Sequence, residues 1–156
     1  MKRVYAREEY CAGCKLCEVH CIVAHSDYPN DIVKAFKKQQ PRPVARVVVE
    51  ENRPVTFALQ CRHCEEAYCV KACITGAMHK DAAGVVKNNE ERCVGCWTCI
   101  LACPYGAIMR DDKGKKVASK CDLCSNLDTN PACVAHCPNR ALVFAETAPG
   151  LNKEVL

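Results

Sequence analysis

Residues 11–21 read CAGCKLCEVHC, four cysteines separated by two, two and three residues. So dense a run of thiols either closes disulfides or wraps a metal centre. The rest of the chain repeats the pattern. CRHCEEAYCVKAC carries Cys61, Cys64, Cys69 and Cys73; CVGCWTCILAC carries Cys93, Cys96, Cys99 and Cys103; CDLCSNLDTNPACVAHC carries Cys121, Cys124, Cys133 and Cys137. With Cys11, Cys14, Cys17 and Cys21, these sets use all 16 cysteines. Each set opens with two intervening residues and closes with three, while the middle gap is 2, 4, 2 and 8. This is an internal repeat of ligand sets that tolerates insertion at one fixed place.

Composition explains why the sets matter. Leu, Ile, Val and Phe make up only 33 of 156 residues, and there is one Trp. A chain so poor in large apolar side chains needs disulfides or metals to hold a small core. The opening stretch MKRVYAREEY has basic residues but no apolar run behind them, so no signal peptide is visible. Nowhere do 18 apolar residues follow one another, so no membrane span is expected. The expectation is a cytoplasmic protein with reduced, metal-binding thiols.

The spacing discriminates between metals. Structural zinc sites usually join two paired-cysteine knuckles separated by roughly 15–20 residues. Sets one and three instead bring a third cysteine three residues after the second, wrapping the chain around something larger than one ion. Bacterial ferredoxins bind [4Fe-4S] clusters with the same run, often followed by Pro, and the fourth Cys ligates the other cluster of a pair. Pro104 and Pro138 follow Cys103 and Cys137, whereas Ile22 and Ile74 stand there in the other two sets.

Such a swap asks which sets pair. Sets one and four end EVHC and VAHC, placing His20 and His136 alike; sets two and three end VKAC and ILAC, placing Ala72 and Ala102 alike. The match can reflect mere tolerance of an exposed polar residue. Read as a pairing code, it joins one to four and two to three. The expected ligand sets are then Cys11, Cys14, Cys17 with Cys137; Cys61, Cys64, Cys69 with Cys103; Cys93, Cys96, Cys99 with Cys73; and Cys121, Cys124, Cys133 with Cys21. A fold stapled this way is not expected to survive without its clusters.

The intervening segments read as short strands and turns. VARVVVEENRPVTFALQC holds two β-rich runs around residues 51–54, a hairpin. GVVKNNEERC reads as a second hairpin before set three, and KKVASKC as a strand into set four. GAIM and RALVF read as closing strands, with helical turns expected between the closing gaps and those strands. The fold class expected is α+β: two ferredoxin-like modules, an inner one at 44–103 nested in an outer one at 1–21 and 104–145. Residues 22–43 form an insertion with one helical stretch from Ile32 to Gln39, and residues 146–156 a tail.

LQCRHCEEAYCVKACITGAMHKD, GVV, ERCVGCWTCILACPYGAI and KCDLC resemble the four-cluster ferredoxin-like electron-transfer subunits of anaerobic oxidoreductases. They are most similar to the subunit associated with carbon monoxide dehydrogenase. The resemblance covers about residues 1–145 and implies the same pairing, one with four and two with three. It further implies a non-catalytic subunit relaying electrons between a catalytic partner and another redox protein. Carbon monoxide dehydrogenase heads the candidates, followed by aldehyde or formate oxidoreductase and hydrogenase, with a flavin-containing NAD(P) enzyme at the far end. The alternative is a freely diffusing polyferredoxin; a redox sensor needs fewer clusters than four.

Charge does not point to nucleic acid. The formal charge is +4, but oxidised all-cysteine cubanes each carry about −2, bringing the holo charge near about −4. Lys34, Lys37 and Lys38, and Lys113, Lys115 and Lys116, are candidate docking patches or simply solvated faces. Trp97, between Cys96 and Cys99, either shields a cluster or fills the core, and packing is the favoured reading. His63, between Cys61 and Cys64, is expected beside a cluster or facing solvent, and not as a ligand. Chemical analysis of anaerobically purified protein should find about sixteen iron and sixteen sulfide per chain with negligible zinc. About eight iron, or stoichiometric zinc, refutes this reading.

Overall fold

The computed structural model describes residues 1–111, 116–125, 127 and 130–146. Its strands and helices are all short because the cysteine loops interrupt them. The strands are β1 (Arg3–Ala6), β2 (Val47–Asn52), β3 (Val55–Gln60), β4 (Met78–Lys80), β5 (Val86–Asn88), β6 (Ile108–Asp111), β7 (Val117–Lys120) and β8 (Leu142–Ala145). The helices are α1 (Leu16–Ala24), α2 (Ile32–Lys37), α3 (Tyr68–Lys71), α4 (Thr98–Leu101) and α5 (Ala132–Ala135), and a 3-10 turn covers Glu8–Tyr10. Among the described residues the strands form four antiparallel two-stranded ladders, β1–β8, β2–β3, β4–β5 and β6–β7. The protein is thus a small mixed α/β fold of short antiparallel strands.

The β2–β3 hairpin follows the sequence closely. Val47 and Val49 face the core and Val48 faces away, the period-two alternation of a half-buried strand. Its register pairs Val47 with Gln60 and Asn52 with Val55, leaving Arg53 and Pro54 for the turn. The other hairpin differs from the expectation for GVVKNNEERC. Val86–Asn88 pairs backwards with Met78–Lys80, and residues 89–92 turn into set three. The turn is Asp81 to Val85, where the Asp81 carboxylate accepts from Val85 N–H at 2.8 Å. An Asp side chain closing such a turn competes with strand pairing locally.

The helical turns also sit elsewhere than expected. α3, α4 and α5 lie across the closing three-residue gaps themselves, and α1 runs through its gap to Ala24. α2 matches the expected helical stretch of the insertion and ends two residues earlier. The Asp31 side chain caps it by accepting from Lys34 N–H at 2.9 Å, and Ala35 is fully buried under it. α1 packs against α5 and α3 against α4. Beyond Glu146 the expected tail lies outside the described residues, as do Lys113 and Lys115. No helix among the described residues is long and apolar enough to cross a membrane.

One backbone feature recurs in every set. The residue before the second cysteine has positive φ: Gly13 at 67°, His63 at 46°, Gly95 at 67° and Leu123 at 60°. Left-handed backbone costs a non-glycine residue about 1–2 kcal/mol, so Gly is the natural occupant in sets one and three. At Gly95 space is limiting too, because an added Cβ would lie 2.6 Å from the Lys116 carbonyl oxygen; at Gly106, φ +63°, it meets nothing within 4 Å. Ala at either position carries the left-handed cost, and only Gly95→Ala adds the clash. Thermal unfolding of the holo protein is therefore expected to show a larger loss for Gly95→Ala. Equal losses would mean the Lys116 carbonyl moves aside freely.

Candidate metal centre

The left-handed turns aim main-chain donors at sulfur. His63 N–H donates to Cys61 Sγ at 3.4 Å and Leu123 N–H to Cys121 Sγ at 3.5 Å, the same two-residue relation in sets two and four. The closing cysteines take donors from just downstream, Met78 N–H to Cys73 Sγ at 3.3 Å and Ala141 N–H to Cys137 Sγ at 3.2 Å. In set one the helix continues past Cys21, so no downstream turn is near. Its donor is Arg46 N–H at 3.2 Å, from just beyond the insertion. The Thr98 hydroxyl donates to Cys96 Sγ at 3.4 Å.

The cysteines gather across the chain. Cys11, Cys14, Cys17 and Cys137 line one cavity together with Val49, Ala58 and Leu142. Cys133 is within electrostatic reach of Cys121, Cys21, Cys124 and Cys17. Cys69 feels Cys61 and Cys103, and Cys99 feels Cys93, Cys69, Cys73 and Cys96. Apolar contacts connect these gatherings. One core cluster holds Cys17, Cys21 and Cys133 with Cys137 at its edge; another holds Cys99 with Cys69, Cys73, Cys93 and Cys103; Cys61 and Cys121 share a third with Cys103. Cys64 is half-buried. His20 and His136, matched by position in their sets, stack face to face with ring centroids 3.5 Å apart.

All 16 cysteines are free thiols. Burial pushes Cys17 and Cys121 up to about 12 and Cys99 and Cys124 up to about 11, and it raises Cys133 further still. A bare thiolate is therefore disfavoured where the cysteines are deepest. Cationic metal at the sulfurs removes that penalty. Cys73 and Cys96 go the other way. Burial raises Cys73, but donors at Met78 and Thr75 outweigh it and lower the thiol; at Cys96 the Thr98 hydroxyl lowers it. Sulfur-only donors, grouped and supplied with N–H···S bonds, fit iron–sulfur clusters.

Polar side chains support the loop of set four in a way its spacing did not reveal. Asp122 accepts from Arg46 Nη1 at 2.7 Å and from Cys124 N–H at 3.0 Å, and it lies 3.1 Å from His25 Nε2. Burial alone would raise the Asp122 carboxyl, but His25 and Arg46 hold it well below the usual range. This network fastens the insertion to Cys121–Cys124. His63 does not face solvent. It is fully buried beneath β5, and its Nδ1 accepts from Val86 N–H at 3.1 Å, which leaves the proton of the neutral ring on Nε2. Burial first, and the Lys120 charge second, push its imidazolium down to about 3, so the ring stays neutral. Trp97 packs against the cluster of Met78, Cys99, Ile108 and Ala118, with the Arg110 guanidinium 4.8 Å above its ring. Lys34 pairs with Asp31 at 3.0 Å.

Comparison with known proteins gives the class. Residues 53–147 match the 4Fe-4S dicluster domain family, a span that contains sets two, three and four. The chain belongs to this family. It is 36% identical to the electron transport protein HydN of Escherichia coli K12, over 92% of this chain and 87% of the relative. It is 38% identical to an iron-sulfur protein of Rhodospirillum rubrum, over 89% and 79%. It is 35% identical to the thiosulfate reductase electron transfer subunit PhsB of Salmonella typhi, over 88% and 71%.

Proposed function

We propose that this chain is a non-catalytic subunit relaying single electrons through four [4Fe-4S] clusters, between a catalytic oxidoreductase subunit and a second redox protein. The observation that carries the reading is the unbroken succession of cysteine groups between two exposed ends, Cys14 and Cys96, with Cys17, Cys21, Cys133, Cys121, Cys61 and Cys99 buried between them. When bound, a cubane of this kind takes up and gives back one electron without an open coordination position. The names of the relatives support the same role, since HydN is an electron transport protein and PhsB an electron transfer subunit.

The ligand sets we propose are Cys11, Cys14, Cys17 and Cys137; Cys121, Cys124, Cys133 and Cys21; Cys61, Cys64, Cys69 and Cys103; and Cys93, Cys96, Cys99 and Cys73. The gathering of these residues and the β1–β8 and α1–α5 contacts support an outer module enclosing an inner one. In this reading the order along the relay is one, four, two, three. Replacing Cys137 by Ala is expected to damage the cluster held by Cys11, Cys14 and Cys17 and to spare the one held by Cys121, Cys124 and Cys133. Electron paramagnetic resonance on the purified variant checks it. Loss of the Cys121 cluster instead refutes the swap.

A bound partner is favoured over a freely diffusing carrier by three exposed apolar side chains at the Cys96 end. Leu101 is 89% exposed, Ile74 73% and Val94 67%, and each lies within two residues of a cysteine in set two or three. Apolar side chains this exposed beside a redox centre are suited to a protein interface. Carbon monoxide dehydrogenase remains the first candidate on the resemblance of the cysteine motifs, then aldehyde or formate oxidoreductase and hydrogenase. Adding holo protein should accelerate electron transfer between the right catalytic subunit and its acceptor saturably. Leu101→Glu should weaken that saturation with iron content unchanged. Turnover of carbon monoxide, aldehyde, formate or hydrogen by the isolated chain would refute the relay.

A further inference from the structure

The junction between the two halves of the relay holds a buried cation. Lys120, the last residue of β7, is 3% exposed. Its ammonium donates to the carbonyl oxygens of Val86 and Cys121, the latter at 2.6 Å. Both partners are neutral main-chain groups. Among the described residues no carboxylate forms an ion pair with it, and Asp122, which lines the same cavity, is engaged by Arg46 and His25. A buried charge without a counter-ion is expensive, and Glu90, the other carboxylate lining that cavity, pairs with Arg46 at 3.8 Å.

Sulfur surrounds this charge on two sides. Lys120 is close enough to Cys69 of set two and Cys121 of set four to favour the thiolate of each. Cys61 and Cys121 meet in one apolar cluster at the same junction, so water is scarce and electrostatic screening weak. In the proposed ligand sets, Cys69 and Cys61 hold one inner cluster and Cys121 the other.

We propose that Lys120 is the shared counter-charge of the two inner clusters and raises the reduction potential of both. A cluster bound at either inner set would carry one more negative charge reduced than oxidised. A fixed positive charge between them lowers the energy of either reduced state without a proton moving. The electron is then stabilised in the middle of the chain, while the outer centres, at Cys14 and Cys96, have exposed ligands and answer to solvent and partners. The inference rests on the four-cluster reading above.

A redox titration followed by electron paramagnetic resonance tests it on the holo protein and on Lys120→Met. The expected result is a downward shift of two of the four midpoint potentials, with the other two unmoved. A merely structural lysine would alter loading or stability and leave the potentials of loaded protein in place. Asn88→Asp provides a second route, because Asn88 lines the same cavity as Lys120 and its Oδ1 is buried without a hydrogen-bond partner. A carboxylate there places a negative charge beside the lysine, giving up the bond that Asn88 Nδ2 donates to the Ala118 carbonyl at 2.8 Å, and the same two potentials should fall. It decides the matter if Lys120→Met fails to load. Unmoved potentials, a shift of only one, or a uniform shift of all four in loaded protein overturn the proposal. Fewer than four clusters in the wild-type spin count overturns the underlying four-cluster reading instead.

Discussion

Sulfur buried away from water governs this structure. The interior is built around cysteines whose thiols burial holds in the neutral form, with few large aliphatic side chains to fill the space between them. Cys17, Cys21 and Cys133 occupy core positions that Leu or Ile take in an ordinary domain of this size. Such an interior gains little from hydrophobic contact alone. Metal charge turns the same residues from weak core formers into strong cross-links, because binding energy becomes folding energy. The brevity of the helices and strands follows: they need only orient loops that the metal holds.

The loops show how one backbone solution serves four different sequences. A left-handed residue before the second cysteine folds the chain around the centre, and in sets two and four its N–H turns toward sulfur. Sets one and three use Gly, which takes this conformation without strain. Sets two and four use His63 and Leu123, and both are held by their surroundings. His63 is locked by Val86 and complete burial, and Leu123 packs against two core clusters. The strain at these two positions is sustained by tertiary contact.

The four cysteine groups were legible because their spacing repeats along the chain. The β2–β3 hairpin was legible because its alternation and its Pro54 turn are local signals, and α2 because Asp31 and the apolar run after it are too. What stayed hidden depends on partners far apart in sequence. Val86 pairs with Lys80 across a turn that Asp81 organises, and no propensity in GVVKNN reveals it. The helices moved into the closing gaps because cysteine spacing of three is itself one helical turn. Arg46, Asp122 and His25 come from three separate segments, and Lys120 looks like the polar end of a strand until its burial is seen. Polar residues in the interior are determined by what encloses them, which single-residue patterns do not carry.

The pairing of β1 with β8 has a consequence for how the protein is made. Arg3 finds Ala145 and Ala6 finds Leu142, so β1 leaves the ribosome long before the strand it pairs with. Throughout that interval Cys11 to Cys21 are tethered to a chain whose complementary region has not been synthesised, and domains of this connectivity complete themselves late. Their thiols are open to oxidation or to the wrong metal until that later strand has been made. The speed of elongation and the supply of iron and sulfide during that interval therefore bear on the yield of intact protein.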